Sequence, residues 1–357
     1  MTAARVIVVI VNWNGAEFLA DCLRAVAAQQ LDGGVAPLLI DNGSTDGSLE
    51  LLARDFPQVP VVRAANNYTA ANNLGVARAT GPYALLLNTD ATLQPGCLAA
   101  LVQELERAPR AAVAAPKILF PDGRVASTGI VQRDDLYWLD RDQGATDDGR
   151  TARGGEVLGV SGCCALFRTA AWRQVGGQDE AFHMYYEDVD LALRLRAAGF
   201  ISLYVPAATC VHVGHGSISK ATTGKDELGE RNRLLVLARH FKDRLAGELV
   251  RSPWFQSAPP EQVAVLLPRL AARRGGTADQ VLLELLLALR DQVRGYAGEL
   301  DARWGEHRNL PKILGEREQW IAMLLEELRR LRIWRLPGKR LKPGEAEFLA
   351  RRRGTPS

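Results

Sequence analysis

Residues 5–12, RVIVVIVN, form an uninterrupted apolar and largely β-branched run. A strand that alternates apolar and polar side chains can leave one face in water. This one needs cover on both faces, which is the situation of an inner strand of a parallel sheet held between layers of helices. The following residues keep to that plan. Residues 16–30 place Phe18, Leu19, Cys22, Leu23 and Val26 at helical spacing, and 36–40 is a second apolar run ending at Asp41. This predicts a β-α-β opening. Residues 44–54 suit a helix, 59–63 a third strand, 72–79 another helix and 83–87 a fourth strand leading into Asn88, Thr89 and Asp90. Asn12, Asp41 and the 88–90 triplet each follow a predicted strand at its carboxyl end, where open α/β sheets bind ligands.

The second half is more mixed. Residues 97–107 read as a helix, 157–167 as a strand, 169–175 as a short helix, and 202–205 and 210–213 as short strands. Residues 131–155, rich in Asp, Arg and Gly, fit a mobile loop near the site and an ordinary insertion equally well. From about Lys225 the pattern is helical, over 227–245, 261–273, 278–294 and 312–336, with the Pro- and Ser-containing stretch 252–260 as a connection. No internal repeat is present.

At 357 residues, 47% hydrophobic and 24% charged, the chain can bury one substantial core and a smaller appendage. No apolar run approaches the roughly 20 residues a bilayer-spanning helix needs, and residues 1–5 lead into a strand and not a signal peptide, so a cytoplasmic protein is expected. Five cysteines, an odd number without zinc-ligand or redox spacing, predict reduced thiols, with Cys163 and Cys164 as apolar packing beside a strand. A formal net charge of +3 does not by itself suggest a nucleic-acid partner. Its distribution is uneven, because residues 329–353 hold ten Lys or Arg against Glu345 and Glu347. Residues 321–336 combine apolar residues at helical spacing with four Arg and Trp334. This suits an ordinary helix packed on the catalytic domain with a solvated basic face, and also a basic amphipathic helix on an anionic membrane surface.

The densest chemistry lies in residues 183–191, HMYYEDVDL, which bring Glu187, Asp188 and Asp190 to the start of a helix that Gly199 would stop. Acids there can simply cap the helix, or they can use its positive end to stay ionised for catalysis.

In order along the chain, Val9-Ile10-Val11-Asn12-Trp13-Asn14-Gly15, residues 41–48 (DNGSTDGS), Asn72-Asn73-Leu74-Gly75, Leu87-Asn88-Thr89-Asp90, Ser161-Gly162, residues 176–180 (GGQDE), residues 185–191 (YYEDVDL) and His212 with Ser217 resemble family 2 glycosyltransferases of the GT-A fold, especially the rhamnosyltransferase-like branch. Each motif alone is weak; their order, over roughly residues 5–220, is specific. The resemblance implies a Rossmann-like, mostly parallel mixed sheet flanked by helices. A catalytic domain over 1–224 would be divided near 95 into nucleotide-sugar and acceptor halves, and 225–357 would form a helical extension with a basic tail.

It further implies a donor pocket of Val11, Asn12, Asp41, Asn72, Asn88 and Asp90, with Asp41 at the base; as an Asx residue, Asp41 also suits a turn into Asn42-Gly43. Asn88-Thr89-Asp90 stands at the family's DxD-type motif, so Asp90, with His212, is expected to hold Mg²⁺ or Mn²⁺ against the diphosphate, with His215 a second choice. A lone histidine in an apolar run also suits plain packing. Asp188 is expected as general base, Glu187 as its orienting or acceptor-binding neighbour, and Asp190 as a helix-start residue. Trp172 and Tyr185 would offer faces to an acceptor sugar, or pack in the core. Where relatives have a Gly-rich loop this chain has residues 67–71 (NYTAA), and Asn67 is expected to take a positive φ in place of glycine. The implied reaction is inverting, metal-dependent transfer of a sugar, rhamnose or another hexose, from a dTDP-, UDP- or GDP-linked donor to a glycan or polyprenyl-linked acceptor of cell-surface polysaccharide synthesis. Rival readings are a nucleotidyltransferase, whose Gly-rich basic phosphate loop is absent near the first strand, and a non-catalytic sugar-nucleotide scaffold.

Overall fold

The computed structural model describes residues 4–214 and 225–288, apart from 259, 279 and 286. His215, Ser217, the helix expected at 312–336 and the basic tail lie outside the described residues.

The first half runs β1 (Val6–Asn12), α1 (Ala16–Ala27), β2 (Val35–Asp41), α2 (Ser48–Asp55), β3 (Val61–Arg63), α3 (Tyr68–Ala77), β4 (Tyr83–Asn88), β5 (Ala91–Leu93) and α4 (Cys97–Arg107). β1 lies between β2 and β4 and is parallel to both, so the carboxyl ends of all three point to one edge. Its side chains divide by parity: Val6, Val8 and Ile10 join the cluster beneath α1 and α4, while Val9 and Val11 join the one beneath α3 and the later helix Glu187–Ala197. That division explains the unbroken apolar run, since each fully buried Val or Leu contributes about 1.5–3 kcal/mol and both faces are covered. α3 reaches β1 so closely that a Cβ at Gly75 would collide with Val9.

The second half continues with β6 (Ala111–Leu119), β7 (Val125–Ser127), β8 (Ile130–Gln132), β9 (Trp138–Asp140), β10 (Gly155–Val157), β11 (Cys164–Arg168), α5 (Thr169–Gln174), α6 (Glu187–Ala197) and β12 (Ile201–His212). The sheet order is β10-β12-β6-β11-β4-β1-β2-β3, with β11 antiparallel to β4 and β6. The mixed, mostly parallel sheet flanked by helices is the expected class. Several elements differ from the sequence reading: the strand expected at 157–167 is split between β10 and β11, which pair with different strands, and the connection expected at 252–260 holds a short helix at Pro253–Ser257 that Ser252 caps. β6, an Ala-rich segment with weak strand propensity, becomes an inner strand because β11 and β12 cover its two edges. The two short strands expected at 202–205 and 210–213 are one strand, β12, whose register shifts between Val205 and Thr209.

Among the described residues the first compact unit, which ends at Gly276, continues with α7 (Lys225–His240), α8 (Leu245–Arg251), α9 (Pro253–Ser257) and α10 (Pro260–Arg274). The sheet finishes before residue 224, but α7 packs on α6 and compactness continues past that position. In the second unit, Thr277–Ser357, residues 280–285 are helical. Among the described residues no helix is long and apolar enough to cross a membrane. All five cysteines are buried and unbridged.

Candidate active site

A cavity of about 610 Å³ opens at the carboxyl edge of β1 and β4, and Val11, Asn88, Asp90, Glu187, Asp188 and His212 all line it. Strand pairing explains how residues so far apart in sequence meet. β12 runs antiparallel to β5 with His212 opposite Ala91, and the Val213 N–H donates to the Asp90 carbonyl at 3.0 Å. This sets His212 Nε2 3.1 Å from Asp90 Oδ1 at the cavity wall. Asn88, at the end of β4, accepts a 2.9 Å hydrogen bond from the Tyr68 hydroxyl, which burial and then the charge of Glu187 hold firmly in its protonated, donating form.

Three residues expected to touch the donor sit behind the wall. Asn12 is fully buried, and its amide donates to the Ser44 and Ser48 hydroxyls at 2.9 and 2.8 Å, pinning the 44–48 loop. Asp41 accepts from the Ser44 N–H at 3.2 Å, closing the turn that its residue type also suggested. Asn72 donates to Gln178 Oε1 at 3.1 Å and ties α3 to the 176–180 loop. Asn42, next to Asp41, lines the cavity instead, because alternate residues leaving a strand point to opposite faces. Asn67 is extended at φ −151° and not left-handed; it caps α3 by accepting from the Ala70 N–H. Trp172 is a core residue, edge-on to Phe167 with centroids 4.9 Å apart, and does not line the cavity, whereas Tyr185 does.

Glu187 and Asp188 open α6. Burial pushes both carboxyls up. Asp188 also feels the charge of Asp140; N–H donors from Gly162 at 3.2 Å and Val189 at 2.8 Å oppose the rise, leaving it at about 6. Glu187 is held well above the carboxylate range by burial and then by Asp188, and its Oε2 has no hydrogen-bond partner among the described residues. Two adjacent carboxyls are thus both shifted upward, and Asp188, at about 6, can exchange a proton near neutral pH.

The segment before them is strained. His183, Tyr185 and Tyr186 all have φ of 65°, a region L-residues with bulky side chains rarely adopt. Asn232 of α7 over-determines this backbone: its buried Nδ2 lies 2.9, 2.7 and 2.8 Å from the carbonyl oxygens of Phe182, Met184 and Tyr185. No local sequence signal marks Asn232, which is 47 residues from Tyr185. Its replacement by Ala is expected to lower the rate by on the order of 10–100-fold through misplacement of Glu187 and Asp188, while nucleoside diphosphate affinity stays within about twofold. Single-turnover kinetics beside equilibrium binding would check this; equal rates would show that the clamp is dispensable.

Asp190 is not simply a helix-start residue. It is fully buried and accepts from Arg194 Nε at 2.8 Å, Arg239 Nη1 at 2.7 and 2.8 Å, and His240 Nε2 at 3.0 Å. Burial alone would raise its pKa; the His240 hydrogen bond and the two arginines reverse that and leave it at about 2.

The 131–155 region is ordered around the β8–β9 hairpin, whose Trp138 packs against Tyr186 and Phe241 with centroids 6.0 and 5.6 Å away. Tyr137 donates to Glu230 of α7 at 3.0 Å. The hairpin brings Asp140 to the cavity, with its pKa raised by burial despite a hydrogen bond from Ser127. The sequence marked this region as near the site or merely inserted, and only packing distinguishes the two.

Comparison with known proteins agrees with this architecture. The Glycosyl transferase family 2 profile matches residues 7–176. The chain is 33% identical over 233 residues to N-acetylglucosaminyl-diphospho-decaprenol L-rhamnosyltransferase of Mycobacterium tuberculosis, covering 58% of this chain and 72% of that protein. It is 30% identical over 194 residues to the O-antigen biosynthesis protein RfbC of Myxococcus xanthus, covering 51% of this chain and 15% of RfbC. Among solved structures, GalNAc-T7 with UDP, GalNAc and Mn²⁺ matches with a TM-score of 0.56 at 16% identity, over 81% of this chain and 58% of that one. S. aureus TarS 1-349 with UDP-GlcNAc matches with a TM-score of 0.51 at 13% identity, over 79% and 84%. The ordered motifs, the GT-A sheet and a relative matched over most of its length agree, and the chain belongs to glycosyl transferase family 2, in its rhamnosyltransferase-like branch.

Proposed function

We propose that this glycosyltransferase moves rhamnose or another hexose from a dTDP-, UDP- or GDP-linked donor to a glycan or polyprenyl-diphosphate-linked acceptor, with inversion at the anomeric carbon. The observation that carries this reading is Asp188: a half-buried carboxyl on the cavity, held by the Gly162 N–H and poised at about 6. A carboxylate in that state can take the acceptor hydroxyl's proton as the oxygen attacks, and a single displacement by that oxygen inverts the configuration. Glu187 beside it holds an acceptor hydroxyl, and Tyr185 offers an aromatic face. Val11 and Asn88 border the nucleotide sugar, while Asn12, Asp41 and Asn72 keep the wall behind it in shape. The M. tuberculosis relative, which by its name uses a diphospho-decaprenol-linked N-acetylglucosamine, supports the lipid-linked acceptor.

A divalent cation fits Asp90 and His212. Their facing oxygen and nitrogen donors lie 3.1 Å apart on the cavity wall, and a carboxylate with an imidazole suits Mn²⁺. Among the described residues no group of three His, Cys, Asp or Glu could hold a metal; oxygens of the donor's diphosphate would suit the cation as further ligands. Bound there, the cation would neutralise charge on the departing nucleoside diphosphate. The Mn²⁺ in the GalNAc-T7 structure supports a divalent cation as cofactor. Asp90→Ala is expected to weaken Mn²⁺-dependent nucleoside diphosphate binding by at least the roughly 10–100-fold that changes outside the first ligand layer cause. Calorimetric titration with and without Mn²⁺ tests it, and unchanged Mn²⁺-dependent affinity would remove Asp90 from the metal site.

A further inference from the structure

We propose that Arg231, Arg269 and Arg273 form a diphosphate-binding site at the rim of the cavity, which takes the diphosphate of a prenyl-linked acceptor. This inference rests on the acceptor class proposed above and adds the residues that would recognise it.

Among the described residues the three guanidiniums are short of negative charge. There, Arg231 of α7 donates only to neutral oxygens: Asn232 Oδ1 from Nε at 3.1 Å and Nη2 at 2.8 Å, and, more loosely, the Ala181 and Phe182 carbonyls at 3.5 and 3.4 Å. Arg273 of α10 reaches Asp179 Oδ2 at 2.7 Å, but that same oxygen also accepts from Arg239 Nη2 at 2.7 Å. The Arg273 side chain is only 10% exposed, and its Nε has no partner among the described residues. Arg269, one helical turn earlier, is exposed and pairs with no carboxylate among the described residues. Burial and then the charges of Arg269 and Arg273 lower the pKa of Arg231, so the three cations repel one another across a partly desolvated space. A half-buried cation without a counter-charge is costly to fold, and an anionic ligand removes that cost.

The cluster adjoins the cavity. Leu228 lines it, and Arg231 follows one turn later on the same face of α7. His183, also on the cavity, directly follows Phe182, whose carbonyl Arg231 touches and whose ring lies 5.8 Å from the Arg273 guanidinium carbon. A sugar in the cavity beside Glu187 and Asp188 would therefore extend its anomeric diphosphate towards this rim. Forked guanidiniums match phosphate oxygens better than any other side chain.

The test is binding of farnesyl diphosphate to the full chain, with Mn²⁺ and saturating UDP or dTDP filling the donor site. Exposed Arg269→Gln should weaken binding about tenfold and Arg231→Gln with Arg269→Gln on the order of 100-fold, as expected for lost charge-assisted hydrogen bonds. Farnesol, which lacks the diphosphate, should bind parent and variants alike. Parental farnesyl diphosphate affinity in both variants would overturn the proposal, as would failure of the parent to bind it. Loss of phosphatidylglycerol-vesicle binding with farnesyl diphosphate affinity unchanged would reassign the cluster to lipid headgroups. Asp188→Asn should bind farnesyl diphosphate normally. If that variant still transferred sugar, the general-base reading would fail while the diphosphate site stood.

Discussion

Replacing Asp188 by Asn is expected to lower sugar transfer by on the order of 10²- to 10⁴-fold, the usual cost of losing a general base. Asn keeps the acceptor oxygen that the Gly162 N–H needs but cannot take a proton. Donor binding should persist, because Asp90 and His212 lie on the separate β5–β12 pairing. Stability should persist or rise. The folded-state pKa of Asp188, about 6, is above its ordinary value of 3.8, so its contribution to folding is favourable in acid and is lost as pH rises through 6. An uncharged Asn removes that cost above pH 6. The parent's rate should fall as pH drops below about 6, where the base becomes protonated, and the residual rate of the variant should lack that limb. A variant that transfers at the parental rate would make Asp188 structural and move the base to Glu187 or elsewhere.

Asp190→Asn should do the opposite, leaving chemistry in place for the molecules that fold and removing stability. The substitution removes the carboxylate that faces Arg194 at a fully buried point and, among the described residues, leaves Arg239 only its second partner, Asp179. Breaking a buried pair in this way costs about 3–5 kcal/mol. In a chain of this size that corresponds to a fall in Tm on the order of 10 °C. The pH dependence also has a definite sign. The folded-state pKa of Asp190, about 2, is below its ordinary value of 3.8, so its stabilisation is complete above about pH 4 and is lost as pH falls towards 2. Thermal melts of parent and variant should therefore converge in that acid window. A variant melting with the parent at pH 7 would show that α7 holds α6 without this carboxylate.

These two aspartates are two residues apart on one helix, and nothing in the local pattern assigns them opposite duties. Both are acids in the first turn of α6. The difference arises from what faces them. Asp188 meets a cavity and the negative charge of Asp140, whereas Asp190 meets two arginines and a histidine from α6 and α7.

What the sequence determined was whatever depends on near neighbours along the chain. The RVIVVIVN run required cover on two faces, and β1 has it, divided between the two clusters by residue parity. Helix spacing placed α4 at its observed bounds and brought Glu187 and Asp188 to the start of α6. The ordered motifs pointed to the family, because turn and cap residues at strand ends are local features. Tertiary structure alone decided which polar residues face the cavity and in what charge state. Asn12, Asp41 and Asn72 turn inward to other side chains, Asn42 and Asp140 turn towards the cavity, and Trp172 goes to the core. Asp90 meets His212 across 122 positions, and Asn232 meets Tyr185 across 47. Periodicity and propensity act over one or two turns. Desolvation, charge pairing and cavity shape are set by segments that only the folded sheet and its helices bring together.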